Sequence, residues 1–339
     1  MRISLISLVS ESAKAVDWYL QGLTQQDNQD FEVILCLNKD SQTPQVFEVI
    51  AKHKSFFKQR LVVIFNSKLK SYQHNLISAF RIAQGNYLYV LNSDATIKRY
   101  YVDSLIKLTL KNDADVIEFQ PRIIGSINWK PAHRLSTNEV VNLNENKQAL
   151  AYSFPFIFNK IFKKSLTDQL IKYKPIIHND SKLCVEVTYM LLLSANTYKY
   201  INERIIREYY GANVWLNIKN ELQSFQKIEN HIKFHNLKVI QEIMYAKYYY
   251  FKIIMYGLLN STTFVYRNFK SKEQIKEKRS MLLVQKHEAT LQKLQNTNEF
   301  EQFEKSNVYM LKASIETNLL RSEISQLKKV KAKILSELE

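Results

Sequence analysis

The sequence predicts an α/β fold, a mostly parallel sheet flanked by helices, followed by an all-helical C-terminal region. Three observations carry this. From Met1 to about Tyr210, short apolar runs alternate with stretches whose apolar residues recur every three or four positions, the pattern of successive βαβ units. Five glycines and five prolines in 339 residues are too few for a many-turned all-β fold. From Leu216 to Glu339 there is one glycine and no proline, and the spacing is helical almost throughout. The expected division is residues 1–216 and 217–339.

In order, Ile3 to Val9 is the first strand and Ala13 to Leu23 the first helix. Gln25 to Asp30 is a polar turn, and Phe31 to Leu37 (FEVILCL) is a strand buried on both faces, ending in Asn38-Lys39-Asp40-Ser41. Gln45 to Phe57 is helical and Leu61 to Phe65 is a strand. A helix over Leu76, Ile77, Phe80, Ile82 and Ala83 stops near Gly85. Tyr87 to Leu91 then forms a buried strand that delivers Asn92, Ser93 and Asp94 to its carboxyl end, where open α/β sheets bind ligands. Val102 to Leu110 (helix) and Asp115 to Gln120 (strand) continue the alternation. Ile123 to Gln148 reads as a loop across that ligand edge. Phe154 to Phe162 restores order, Leu183 to Ala195 is a helix, and Tyr198 to Ile206 is a returning strand.

An apolar fraction of 46% and an aromatic fraction of 12% suffice for a real core, which excludes disorder throughout. The length accommodates one sizeable domain plus a unit of roughly 100 residues. Cys36 and Cys184 both sit in apolar runs and read as buried thiols of a reduced compartment. No apolar run reaches the ~20 residues of a membrane span. The start, MRISLISLVSE, fits a first strand better than a signal peptide, so the expected location is cytoplasmic. A net charge of +16 points to anionic partners. There is no G-x-x-x-x-G-K-[ST] and no G-x-G-x-x-G, so neither a P-loop nucleotidase nor a dinucleotide enzyme is supported.

An ordered series of short motifs is more specific than any one of them. Gln26-Asp27-Asn28-Gln29-Asp30-Phe31-Glu32 matches Q-x-x-x-x-F-E; His74-Asn75 followed by Ala83-Gln84-Gly85-Asn86-Tyr87 matches R-N-x-G/A…A-x-G-x-Y. Leu91-Asn92-Ser93-Asp94-Ala95 stands for L-D-S-D-D, Asn159-Lys160-Ile161-Phe162 for N-K-L-Y, and Asn179-Asp180 for E-D. Over about Met1 to Tyr210 the chain thereby resembles the family 2 glycosyltransferases of the GT-A fold. The resemblance implies transfer of a sugar from a nucleotide-sugar, a UDP-sugar by expectation, to a lipid or polysaccharide hydroxyl by an inverting single displacement. It places Asp94 on a Mg²⁺ or Mn²⁺ ion and the diphosphate. Asn38, Asp40, Asn75 and Asn92 fall in the donor site, Asn38 and Asp40 near the base and ribose, and Asp180 is the general base.

The chain departs from the pattern. Asn92 and Ala95 replace two of the motif's acids, and Leu37 stands where an acid is expected before Asn38. Three readings follow: a metal held through Asp94 and the substrate phosphates, a metal-free site in which lysines or Arg99 neutralise the diphosphate, or a fold that has lost activity. Taken alone, Asp180 is equally well a helix N-cap and Asp40 an ordinary turn residue. His231 and His235, at i and i+4, read as a solvated helix face, and His74 and His178 as chance neighbours of the site.

Met244 to Phe269 is dense in tyrosine and phenylalanine, with Lys247, Lys252 and Arg267 interspersed. Its readings are packing against the catalytic domain, contact with an anionic membrane surface that would place the protein peripherally on the inner face, and, least favoured, nucleic-acid stacking, which no motif accompanies. Leu320, Ile324, Leu327, Ile334 and Leu338 follow 4-3-spaced positions, with Lys331 at the one the repeat would make apolar, and suggest a helical hairpin or short coiled coil able to mediate homo-oligomerisation. The competing class is therefore a degenerate GT-A-fold assembly protein acting through its helical tail.

Overall fold

A computed structural model describes residues 1–9, 12–40, 42–95, 97–135, 139–175, 181–211, 216–261, 273–331 and 333–339, with side chains from 279 onward in the segment that begins at 273. Ser41, His178, Asn179, Asp180 and Arg267 lie outside the described residues.

The strands are β1 (Ile3–Leu8), β2 (Phe31–Asn38), β3 (Leu61–Asn66), β4 (Tyr87–Val90), β5 (Val116–Phe119), β6 (Ile123–Gly125), β7 (Val141–Asn142), β8 (Lys160–Lys163), β9 (Thr197–Ile201) and β10 (Glu208–Tyr210). In the first half they alternate with α1 (Ala13–Thr24), α2 (Thr43–Phe57), α3 (Tyr72–Ile82) and α4 (Tyr101–Lys111). Further on come α5 (Gln148–Tyr152), α6 (Lys164–Asp168) and α7 (Val185–Ser194). The main sheet has the order β3-β2-β1-β4-β8-β5-β9-β7. β3, β2, β1 and β4 are parallel, and so are β5 and β9. β8 runs against both its neighbours, and β7 runs against β9 at the edge.

The largely apolar character of β1, β2 and β4 follows from burial on both faces. Phe31, Val33, Leu35 and Leu37 face one core with Ile3, Leu5, Tyr87 and Tyr89, under α1, α2 and α4. The alternate residues Ile34, Cys36, Ile6, Leu8, Leu88 and Val90 face the other, under α3 and α7. Ser12 and Ser71 cap α1 and α3, each side chain accepting an amide of the first turn.

Two of the sequence motifs close a latch at the amino end of the sheet, away from the ligand edge. Buried Glu32 accepts the hydroxyl of Ser4 at 2.6 Å and the amides of Gln84 at 2.6 Å and Gly85 at 3.2 Å. Gly85 is required here for close approach rather than as a left-handed helix stop: a Cβ would sit 2.6 Å from the backbone nitrogen of Ser4. Helix α3 has already ended at Ile82.

From Ile218 the chain is helical: α8 (Ile218–Phe234), α9 (Ile240–Tyr249), a π-helical turn over Tyr250–Met255, α10 (Tyr256–Asn260), α11 (Glu273–Gln295), α12 (Asn298–Ser306), α13 (Ile315–Arg321) and α14 (Ile324–Val330). Their interior is continuous with the core on the α3 and α7 face of the sheet. Tyr245, Tyr248, Tyr249, Tyr250, Phe251 and Tyr256 are all buried, and so are the two lysines among them. Lys247 bridges Glu229 and Glu299, while Lys252 donates to the carbonyls of Leu320 and Ser322. Through Ser261 this stretch is therefore interior packing, the first of its three expected readings. The 4-3 spacing near the C-terminus does not form one continuous helix. The chain breaks at Ser322, Glu323 starts α14 with a reciprocal capping box to Gln326, and Leu320, Ile324, Leu327 and Ile334 bury into this chain's own core. No helix among the described residues is long and apolar enough to cross a membrane.

Candidate active site

The strand order sets where a ligand can bind. From β1 the chain crosses outward to β2 and on to β3, then returns over the sheet to pair β4 on the other side of β1. Connections that leave two adjacent parallel strands in opposite directions open a crevice between their carboxyl ends. That crevice lies between β1 and β4, so Asn38, at the end of β2, stands one strand away from Asp94 rather than beside it. β1 thus intervenes between the two strand ends that carry the expected donor-site residues Asn38 and Asp94.

At the crevice, Asn92 is fully buried and ties the two strand ends together. Its amide oxygen accepts the Leu8 N–H at 3.3 Å, and its amide nitrogen donates to Glu208 of β10 at 2.6 Å. β10 pairs in parallel with β6, which follows β5 directly, so this short ribbon leans on the same edge. Within the region expected to be loop, Ile123–Gly125 is thus a strand, and Val141–Asn142 is a second.

Asp94 meets a cation. Its Oδ2 lies 3.1 Å from the Nζ of Lys182, and the two side chains are 11% and 7% exposed. Lys182 sits on a short segment anchored on several sides. The Ser181 hydroxyl donates to Glu221 at 3.4 Å, the Leu183 carbonyl accepts the Ile157 amide, and Cys184 turns the chain into α7 with a left-handed φ of 50°. That turn fixes where the lysine leaves the backbone.

The other residues expected in the donor site form a separate group. Asn66 donates to Asn75 at 2.7 Å and to Asn38 at 3.3 Å, and Asn38 also bonds both polar backbone groups of Lys70. Asn75 is buried and Asn38 part-exposed, so the three amides line the ends of β2 and β3 beside the crevice. Asp40 accepts the Gln42 amide and the Thr43 hydroxyl at the entry to α2, the geometry of a turn residue. Arg99 pairs with Asp27 on the surface at 2.9 Å. His74, at the start of α3, has its pKa lowered by burial and by Lys70 and Arg81.

The Asn159-Lys160 motif is structural. Lys160 and Glu118 are wholly buried, 3.2 Å apart, and the lysine also donates to the carbonyls of Phe154 and Phe156. Burial pushes Lys160 down to about 8 against the pull of Glu118.

A hard dication takes several oxygen ligands at 2.0–2.6 Å, with carboxylates offsetting its dehydration. Among the described residues no group of three His, Cys, Asp or Glu side chains could hold one. Asn92 has both ends of its amide engaged, and the Asp94 carboxylate already carries an ammonium. These residues do not fit a protein-held metal. Lys182 and Glu208 went unread in the sequence, because neither belongs to a motif and only the fold brings them to the end of β4. A cavity of about 690 Å³ lies elsewhere, between α8, α10 and α11, lined by Met255, Leu259, Leu283 and His287.

Residues 9–170 match the sequence model of Glycosyl transferase family 2. Comparison with curated proteins gives no match. Among solved structures, the fold is similar to S. aureus TarS residues 1–349, with a TM-score of 0.61 at 16% identity over 99% of this chain and 91% of that one. The same fragment in complex with UDP-GlcNAc gives 0.59 at 14%, covering 99% and 92%. In complex with UDP it gives 0.53 at 13%, covering 99% and 88%. The sheet and its flanking helices are the GT-A arrangement.

Proposed function

We propose that this chain, whose residues 9–170 match the model of glycosyl transferase family 2, moves a sugar from a UDP-sugar to a lipid or polysaccharide hydroxyl by an inverting single displacement. The observation that carries the reading is the crevice between β1 and β4, with Asn92 and Asp94 at its lip. The choice of uridine follows TarS, a likeness of fold whose solved complexes hold UDP-GlcNAc and UDP. The Asn38, Asn66 and Asn75 amides flank the crevice on the side proposed for the nucleoside, and Asp94 stands on the diphosphate side. Asp180, two residues before Lys182, takes the role of base by resemblance to the family's motif. It would accept the acceptor's proton as that oxygen attacks the anomeric carbon from the face opposite the departing diphosphate.

The test is calorimetric titration of the full chain with UDP and UDP-GlcNAc, followed by mass spectrometry of acceptor mixtures incubated with donor. Binding tighter than millimolar, together with sugar transfer that disappears in Asp180→Asn, supports the reading. No binding of any nucleoside diphosphate would favour the assembly protein instead.

A further inference from the structure

We propose that the positive charge facing the donor's diphosphate is the ammonium of Lys182, in the place where the family resemblance puts a divalent ion. The inference rests on the sugar-transfer reading and specifies how that site handles charge.

Three observations converge. The first is position: Lys182 Nζ lies 3.1 Å from Asp94 Oδ2, at the carboxyl end of β4 and next to the switch-point crevice. A metal bound to that oxygen at 2.0–2.6 Å would sit within a few ångströms of a fixed like charge, which disfavours both. The second is composition. The residues that depart from the acidic motif, Asn92 and Ala95, remove two of its carboxylates, and a lysine arrives at Asp94, the motif acid that remains. One ammonium beside fewer acids offsets part of the edge's negative charge, the task a dication has beside more acids. The third is environment. Both side chains are about nine-tenths out of water, where a charge-assisted hydrogen bond is stronger than at the surface.

Lys182 donates one hydrogen bond to Asp94, which holds the ammonium at the end of β4. In the transfer, the acceptor oxygen bonds to the anomeric carbon while the bond from that carbon to the β-phosphate oxygen breaks. The electron pair leaves with the nucleoside diphosphate, and the acceptor proton goes to the general base. The negative charge that gathers on the β-phosphate is met by Lys182, which donates a hydrogen bond and keeps its own proton throughout. Asp94 acts as the tether that aims the ammonium.

The experiment is calorimetry of UDP, GDP, ADP and uridine against the full chain, in EDTA and in Mn²⁺, for the wild type, Lys182→Met and Lys182→Arg. The wild type is expected to bind one nucleoside diphosphate equally well in EDTA and in Mn²⁺. Lys182→Met should weaken that binding by about 10- to 100-fold, the loss of a hydrogen bond to a charged group. Its affinity for the free nucleoside should stay unchanged, and Lys182→Arg should recover part of the loss. Circular dichroism checks that both variants fold, and the comparison of EDTA with Mn²⁺ needs no variant. Wild-type binding that requires Mn²⁺, or undiminished diphosphate binding by folded Lys182→Met, overturns the assignment of Lys182 and leaves sugar transfer standing. Absence of nucleotide binding under every condition overturns both.

Discussion

A buried ion pair ties the sheet domain to the C-terminal helices, and Arg134→Met tests it. The Arg134 guanidinium donates to both oxygens of Glu316, at 2.8 and 2.6 Å, and to the Tyr152 carbonyl at 2.9 Å. It also lies over the Tyr249 ring, 3.5 Å from its centre. The two side chains are only 7% and 12% exposed. Removing the guanidinium leaves a nearly buried carboxylate with the Tyr245 hydroxyl as its remaining described donor, at 2.6 Å. Breaking a buried pair on one side costs about 3–5 kcal/mol, because the stranded charge keeps its desolvation penalty. Neutralising that charge should recover much of this. In Arg134→Met/Glu316→Gln, the amide oxygen still accepts from Tyr245, and the double variant should be more stable than Arg134→Met by about 1.5 kcal/mol or more. Urea unfolding followed by tryptophan fluorescence reads the seam directly, since Trp129 is buried there and donates to the Leu335 carbonyl at 2.8 Å. A loss under about 1 kcal/mol for Arg134→Met, or strictly additive effects in the pair, would refute the view that this contact anchors the tail.

Three further outcomes are expected. Burial pushes Lys252 down to about 7, so between pH 7 and the ordinary lysine range the unfolded chain holds a proton that the folded chain has lost. Its contribution to stability therefore rises with pH across that window, and Lys252→Met should show a shallower rise in urea midpoint from pH 7 to 9.5; an unchanged slope would count against a buried neutral lysine. Gly85→Ala forces a Cβ against the β1 backbone and should cost about 1–3 kcal/mol, whereas Gly22→Ala, whose Cβ would meet Ile97 at an ordinary 3.4 Å, should be neutral or stabilising by up to ~1 kcal/mol in thermal melts. Glu118→Ala strands Lys160 in the core and should destabilise by about 3–5 kcal/mol, with Glu118→Ala/Lys160→Met partly restored; equal stability of the single and double variants would refute the pairing.

Local pattern by itself determined the βαβ half of this protein. A strand buried on both faces is apolar at nearly every position, and an amphipathic helix repeats its apolar residues near 3.6, so FEVILCL and the stretch from Leu76 to Ala83 announce their states. The motifs before β2, before β4 and after β4 were legible for the same reason, because each falls at a strand end or turn whose backbone restricts the residue allowed. Three features were settled only by tertiary structure. The 4-3 spacing of Leu320 to Leu338 is equally good for a partner helix and for this chain's own core, and the cap at Glu323 together with Lys252 chose the core. The aromatic stretch from Tyr245 to Tyr256 could have faced lipid, but the open face of the sheet domain buried it. The meeting of Asp94 with Lys182 and of Asn92 with Glu208 joins residues 88 and 116 positions apart. No periodicity or motif encodes such a contact, because charge pairing across a sheet edge depends on strand order, and strand order is a property of the whole fold.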